Sequence, residues 1–152
     1  MATWMSNKSD KFMPLHPVFV HFPAGLFIIA FVFEIVNFFS KGKFRNLSFA
    51  LLSISLLFSI ISVQTGNTEA SNLNLTQEYA RVLSLHQESA TLFLFISVAI
   101  FMLKLYIFFK FKNSSFPIFL ILLLLYLFGS ALIYRTVYFG MKLVFEYGVG
   151  LK

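Results

Sequence analysis

The stretch FPIFLILLLLYLFGSALIYRTVYF, residues 116–139, decides the fold class, because it contains a single charged side chain, that of Arg135. A helix rises about 1.5 Å per residue, so this stretch can cross a hydrocarbon layer of about 30 Å. Residues 18–39, 47–63 and 85–109 have the same apolar character. The sequence therefore predicts an all-α integral membrane protein. We expect a single transmembrane domain over residues 1–152, an up-down-up-down bundle of four helices.

The composition of the chain excludes a soluble domain and several kinds of cofactor site. Hydrophobic residues make up 59% and charged residues only 12%, and the mean hydropathy is +0.83, which is typical of a protein in contact with the lipid bilayer. The net charge is +6, but the cations lie between apolar runs. We interpret them as topology determinants, and expect no nucleic-acid partner. The absence of cysteine excludes thiolate metal sites and the covalent attachment of a c-type haem.

Cations at one end of the predicted bundle are concentrated in two short segments. Short loops rich in lysine and arginine stay in the cytoplasm. The other end carries as many cations, spread over three longer segments, so their density favours both termini outside a cytoplasmic membrane. Met1 to Lys11 is polar and lacks the features of a signal peptide, so we expect the first span to direct insertion. We call the concentrated end the basic surface, with Lys41, Lys43, Arg45, Lys104, Lys110 and Lys112.

All three histidines are predicted to lie at the opposite end, which we call the histidine surface. His16 and His21 precede or open the first span, and His86 opens the third. The first and third helices of an up-down-up-down bundle run parallel, so His21 and His86 are expected at similar depth. Two such imidazoles can hold the iron of a b-type haem between helices. We therefore predict His21 and His86 as haem ligands, with His16 as a substitute ligand or a residue that orients one.

Two prolines make the first histidine segment unusual. Pro23 has no N–H, so the carbonyl of residue 19 lacks its helical partner if the helix already begins near Pro17. Either the regular helix begins near Pro23, or a distorted first turn exposes carbonyl groups beside His21. A carbonyl that accepts from the free N–H of an imidazole fixes the tautomer for metal ligation. The alternative is that His16 and His21 are only amphipathic residues of the interface.

Small residues recur along one face of the second helix, at Ser55, Ser59, Ser62 and Gly66. Such a stripe is typical of close helix packing in membranes. It would also leave space for a flat macrocycle. Both interpretations stay open at this point.

A few charged residues lie in or near the spans, where charge is costly. Arg135, Arg81 and Lys142 on the histidine surface are interface anchors or partners for haem propionates. Glu34 lies nearer the basic surface. We expect it to pair with Lys41, Lys43 or Arg45, or else to accept a proton.

These motifs resemble a family of bacterial four-helix membrane proteins known only as a domain of unknown function. The resemblance rests on His16-Pro17, the run from Val20 to Pro23, Thr65-Gly66, His86 and the tail from Gly140 to Gly150. It implies a cytoplasmic-membrane location, a haem or redox association, and c-type cytochromes or respiratory complex subunits as partners. Members often carry an acid after Thr-Gly, a place that Glu69 fills, and a Gly-Gly pair where this chain has Gly140-Met141.

Three hypotheses follow. The first is a b-type haem protein that transfers electrons and does not turn over a substrate. The second is a non-haem copper or zinc protein, with the metal on His16, His21 and His86, joined by Glu88 or Glu69. The third is an accessory or structural subunit of a membrane complex, without a cofactor.

Overall fold

The computed structural model describes residues 16–71, 77–110 and 115–149, and these form five helices. A one-turn helix and the long helix after it make up the first membrane span, His16–Phe39. Three long helices provide the other spans, which confirms the predicted all-α membrane bundle. The elements are α1 (His16–Phe19), α2 (His21–Phe39), α3 (Arg45–Ser71), α4 (Gln77–Lys110) and α5 (Phe116–Phe145).

The connection between the two helical hairpins is shorter than predicted. The sequence predicted a second span over residues 47–63 and a polar connection up to residue 84, but α3 continues to Ser71 and α4 begins at Gln77. The hydroxyls of Thr65 and Thr68 donate to the carbonyls of Ile61 and Gln64, at 2.9 and 3.0 Å. These polar side chains are satisfied by the helix itself, so the helix continues past the end of the apolar run.

The first span follows the second of the two predicted alternatives, a distorted first turn. The helix begins at His16, is interrupted at Val20 and resumes at His21. Pro23 cannot donate to the carbonyl of Phe19, which is the physical reason for a break at this point. The hydroxyl of Ser55 on α3 donates to the carbonyl of Pro23 at 2.9 Å, so the second helix braces the distorted segment.

Polar side chains lie inside the bundle, and large apolar side chains cover its outside. The buried polar set includes six serines, whereas leucine, isoleucine and phenylalanine side chains on every span are exposed to the surroundings. Lipid is as apolar as leucine, so helices in a membrane associate through small residues and hydrogen bonds. The buried serines are Ser48, Ser55, Ser59, Ser62, Ser89 and Ser97.

The helices α2 and α3 pack as one antiparallel hairpin, and α4 and α5 as another. Contacts of α3 with α4 and of α2 with α5 close the ring, so that α2 and α4 are diagonal to each other. Side chains from both diagonal helices meet on the bundle axis, where the ring of Phe27 lies 5.0 Å from those of Phe93 and Tyr126. The axis is therefore the place where the two hairpins recognise each other.

Gly129 on α5 makes room for the fully buried ring of Phe27. A Cβ atom at this glycine would lie 2.6 Å from Cζ of Phe27, well inside van der Waals contact. Gly25, on the same helix as Phe27, has nothing within 4 Å of its Cβ position. The two glycines thus form a matched pair, one packed and one open.

We predict that Gly129→Ala lowers the free energy of unfolding by about 1–3 kcal/mol, because the added methyl group overpacks the core against Phe27. Thermal unfolding of the detergent-solubilised protein, followed by circular dichroism, measures the effect. Gly25→Ala is the control, and its melting temperature should be unchanged or slightly higher, since alanine favours the helix. Equal melting temperatures for the two variants would show that Phe27 moves aside without cost.

Candidate functional site

His16 is fixed by two contacts with α3. Its backbone N–H donates to Oε1 of Glu69 at 2.9 Å, and its Nδ1 lies 2.9 Å from the carbonyl oxygen of Ser62. A carbonyl oxygen only accepts, so Nδ1 must be the nitrogen that carries the proton. The Nε2 atom of the neutral ring then keeps its lone pair.

His86 is held in the same way by the other hairpin. Its Nδ1 lies 2.9 Å from the carbonyl oxygen of Thr136 on α5. The same argument places the proton on Nδ1 and leaves the lone pair on Nε2. Ligating histidines in metalloproteins are oriented by this kind of hydrogen bond, from the non-ligating N–H to a carbonyl.

A glycine lies against each imidazole, one turn after the carbonyl that accepts from it. The Cβ position of Gly66 is 2.9 Å from Cε1 of His16, and that of Gly140 is 3.2 Å from Cε1 of His86. Any side chain at Gly66 would push the His16 ring away, and one at Gly140 would press on His86. The absence of a side chain at both positions therefore allows the rings to lie close to the helix backbone.

The two imidazoles come together on the bundle axis. Their ring centroids are 6.1 Å apart and their planes are perpendicular, at 90°. Metal–nitrogen bonds are about 2.0–2.1 Å long, so an ion held in line between two imidazoles places their centroids roughly 6 Å apart. The observed separation of the rings is thus the separation that a shared ion requires.

Both rings line a cavity of about 60 Å³ between the four helices. Most of the wall is apolar, with Pro23, Ala24, Ala90, Phe93, Ile133 and Val137. Ser62 also lines it, and its buried hydroxyl has no hydrogen-bond partner among the described residues. A buried polar atom without a partner is costly unless a water or a ligand satisfies it.

His21, the predicted ligand, is not beside His86. Its side chain is exposed, whereas His16 takes the place beside His86. Five residues of a helix correspond to a rotation of about 140°, so His16 and His21 do not both face the axis. In the part of the chain that the structure describes, no three His, Cys, Asp or Glu side chains are grouped so as to hold a metal.

The cations of the histidine surface have contacts of their own. Arg135 lies 3.8 Å from the carboxylate of Glu88, and its guanidinium stands over the ring of Phe139. Lys142 lies 3.8 Å from Glu146, and Arg81 is exposed. None of the three cations lines the cavity between the histidines.

The partner predicted for Glu34 was wrong. Its carboxylate is buried and forms an ion pair with Lys104, not with Lys41, Lys43 or Arg45. Glu34 faces the bundle axis from α2, and Lys104 reaches the axis from the diagonal helix α4, whereas the loop cations lie beyond the end of α2. Lys104 is therefore not a surface cation, and the basic surface has one charge fewer than the sequence suggested.

Reasoning from the sequence missed Lys104 because it was counted with the loop. The signal that could have found it is its position, since it follows His86 by 18 residues, or five helical turns. It therefore lies on the same helix face as His86. A cation in line with a buried histidine points to the interior of a bundle.

We predict that Gly66→Ala displaces the His16 ring and breaks its hydrogen bond to the Ser62 carbonyl, because the ring atoms lie 2.9–3.4 Å from the new methyl group. Nitrogen-15 NMR of histidine-labelled protein reports the loss as a shift of one Nδ1 resonance. Gly25→Ala should leave all histidine signals in place. An unchanged His16 signal in Gly66→Ala would contradict the tight contact.

Comparison with known proteins gives one result for this architecture. No significant match to a curated protein or to a solved structure was found. Residues 12–152 match the family described as predicted membrane protein (DUF2231). The match covers all four spans, both site histidines and both of the glycines that lie against them. The chain therefore belongs to the DUF2231 family of membrane proteins.

Proposed function

We propose that His16 and His86 bind one metal centre on the bundle axis, the iron of a b-type haem, and that the protein transfers electrons in the membrane. The observation that carries the proposal is the pair of imidazoles, both with Nδ1 committed to a backbone carbonyl and both lining one cavity. His16, the substitute ligand of the sequence prediction, takes the place of His21.

The tautomers explain why the cavity suits a metal ion. With both protons on Nδ1, the two Nε2 atoms are acceptors only. No described residue donates a hydrogen bond to either Nε2 atom. Two lone pairs with no donor, close together in apolar surroundings, are best satisfied by a Lewis acid between them.

The number of ligands and the nature of the wall favour haem iron over a bare zinc ion. A haem needs only two axial side chains from the protein, whereas zinc in proteins takes three or four. The apolar wall suits a macrocycle, and when bound the haem iron would supply one-electron exchange. Haem is much larger than 60 Å³, so its entry requires the helices to separate around the small side chains of Ala24, Ser59 and Ala90.

The exposed cations of the same surface complete the proposal. Arg135 and Lys142 have acid partners that are more than half exposed, and such surface ion pairs exchange partners at little cost. With Arg81 they are available to neutralise haem propionates at the membrane surface. We propose that the redox partner, a c-type cytochrome or a subunit of a respiratory-type complex, docks at this histidine surface, outside the membrane.

The size of the cavity favours a second candidate, a single copper ion on the same two histidines. A volume of about 60 Å³ accepts an ion without any movement of the helices. Imidazole nitrogen is a suitable ligand for copper. In this case Glu69 stays bound to the His16 backbone and plays no part in ligation.

We predict that protein made in a haem-replete host and purified in detergent shows a Soret band that shifts on reduction. His16→Ala and His86→Ala should each abolish the bound haem, because each removes one of the two axial ligands. Optical spectra and the ratio of haem to protein measure the result. Circular dichroism and gel filtration confirm that the variants are folded.

His21→Ala is the control for these variants, since its side chain is exposed and it should keep the full Soret band. A protein with no Soret band, or with one that survives His86→Ala, rejects the haem proposal. A Soret band lost in His21→Ala but not in His16→Ala would restore the pairing expected from the sequence.

Metal analysis of the same preparation separates the second candidate from the first. We predict that copper added to haem-free protein binds at one ion per chain, and that His16→Ala and His86→Ala abolish this binding while His21→Ala does not. If neither haem nor copper binds, and all three variants are as stable as the parent, the histidines serve helix packing alone. The protein would then be an accessory subunit.

A further inference from the structure

The two hairpins of the bundle are built on one register. Residues 16–34 align without a gap with residues 86–104, and the alignment brings His16 onto His86 and Glu34 onto Lys104. Five buried positions of α2 coincide with five buried positions of α4. They are Pro23 with Phe93, Phe27 with Ser97, Ala30 with Ile100, Glu34 with Lys104, and Asn37 with Ile107.

The second helix of each hairpin repeats the same relation. The carbonyl that binds His16 and the glycine beside it are Ser62 and Gly66, and their counterparts for His86 are Thr136 and Gly140. A heptad of buried positions alone would align in several registers. The histidines, the carbonyls that accept from them and the glycines leave only this one.

The register makes the bundle a quasi-twofold structure about its long axis. Equivalent side chains of α2 and α4 meet on this axis, because the two helices are parallel and diagonal. At the histidine surface the two members of the pair are identical. About 27 Å away, five turns further along both helices, they are Glu34 and Lys104, with opposite charges.

Glu34 and Lys104 are bound to each other and to one hydroxyl of the first hairpin. Ser48 donates to Oε2 of Glu34 at 2.7 Å and accepts from Nζ of Lys104 at 2.8 Å. The side chains of both charged residues are 5% exposed. A buried charge that loses its partner is strongly destabilising, and two like charges at this position are worse.

Pairing of a hairpin with a second copy of itself would bring like charges together. Two first hairpins would place Glu34 against Glu34, and two second hairpins would place Lys104 against Lys104. Only the pairing of a first with a second hairpin gives an ion pair. Specificity of this kind, in which the wrong partner is penalised, is the best-attested use of buried polar pairs.

We infer that Glu34–Lys104 is the recognition contact by which the first hairpin pairs with the second and rejects a copy of itself. The partner of each hairpin surface is thus the complementary hairpin of this chain. The inference is independent of any cofactor at the histidines. It assigns a function to the one charged pair buried in the described part of the chain.

Charge exchange in the full chain tests the inference. Glu34→Lys and Lys104→Glu should each lose the monomeric, thermally stable form, because each places like charges on the axis. The double variant Glu34→Lys with Lys104→Glu should recover it, since the hydroxyl of Ser48 can reverse its donor and acceptor roles. Gel filtration in detergent and thermal unfolding measure both effects.

Two differently tagged chains test recognition itself. The Glu34→Lys chain and the Lys104→Glu chain, produced together, can satisfy all charges by exchanging hairpins. We expect them to copurify as a heterodimer, whereas two tagged copies of the parent chain stay separate. If the two charge variants do not associate, the recognition role is rejected and the ion pair is only an internal contact.

A neutral pair keeps the test valid if the single variants fail to fold. Glu34→Gln with Lys104→Met removes both charges, so the chain should fold, yet its tagged copies should associate severalfold more than those of the parent. Lys43→Glu is the control, because it makes the charge change of Lys104→Glu at an exposed position on the same surface. Association no greater than that of the parent would overturn the inference.

Discussion

Every polar group on the axis of this bundle must find its partner inside the protein, because the lipid around it offers none. The structure meets this constraint with contacts between helices. Hydroxyls of α3 and carbonyls of α3 and α5 satisfy the polar groups of α2 and α4, as in Ser55 with Pro23, Ser62 with His16 and Thr136 with His86. Once these contacts are fixed, the positions of the imidazoles and of the buried charges follow.

The same constraint gives the two ends of the axis different chemistry. At the histidine surface, two neutral rings present lone pairs to an apolar cavity, which is an arrangement that binds a metal. At the other end, Glu34 and Lys104 neutralise each other, so nothing further needs to bind there. A quasi-twofold framework has thus kept identical residues where a ligand can be shared between the hairpins, and opposite charges where the hairpins must tell each other apart.

Much of the architecture could be predicted from the sequence. Length and apolarity give the four spans, and the parallel direction of the first and third helices places His16 and His86 at one surface. The choice between His16 and His21 could not be made, because it depends on which face of α1 and α2 turns toward the axis. Pro23 indicated a distortion there, but a distorted turn can rotate the preceding residue either way.

The duplication also escaped the sequence, since in residues 16–34 and 86–104 only the histidines and Phe31 with Phe101 are identical. The amino-acid sequence by itself determined that the chain crosses the membrane four times and that its histidines lie at one end, because hydropathy and chain direction are local properties. Only the tertiary structure decided that His16 faces His86 and that Glu34 pairs with Lys104. Those contacts join residues 70 positions apart, and they depend on how the helices rotate and pack around a common axis.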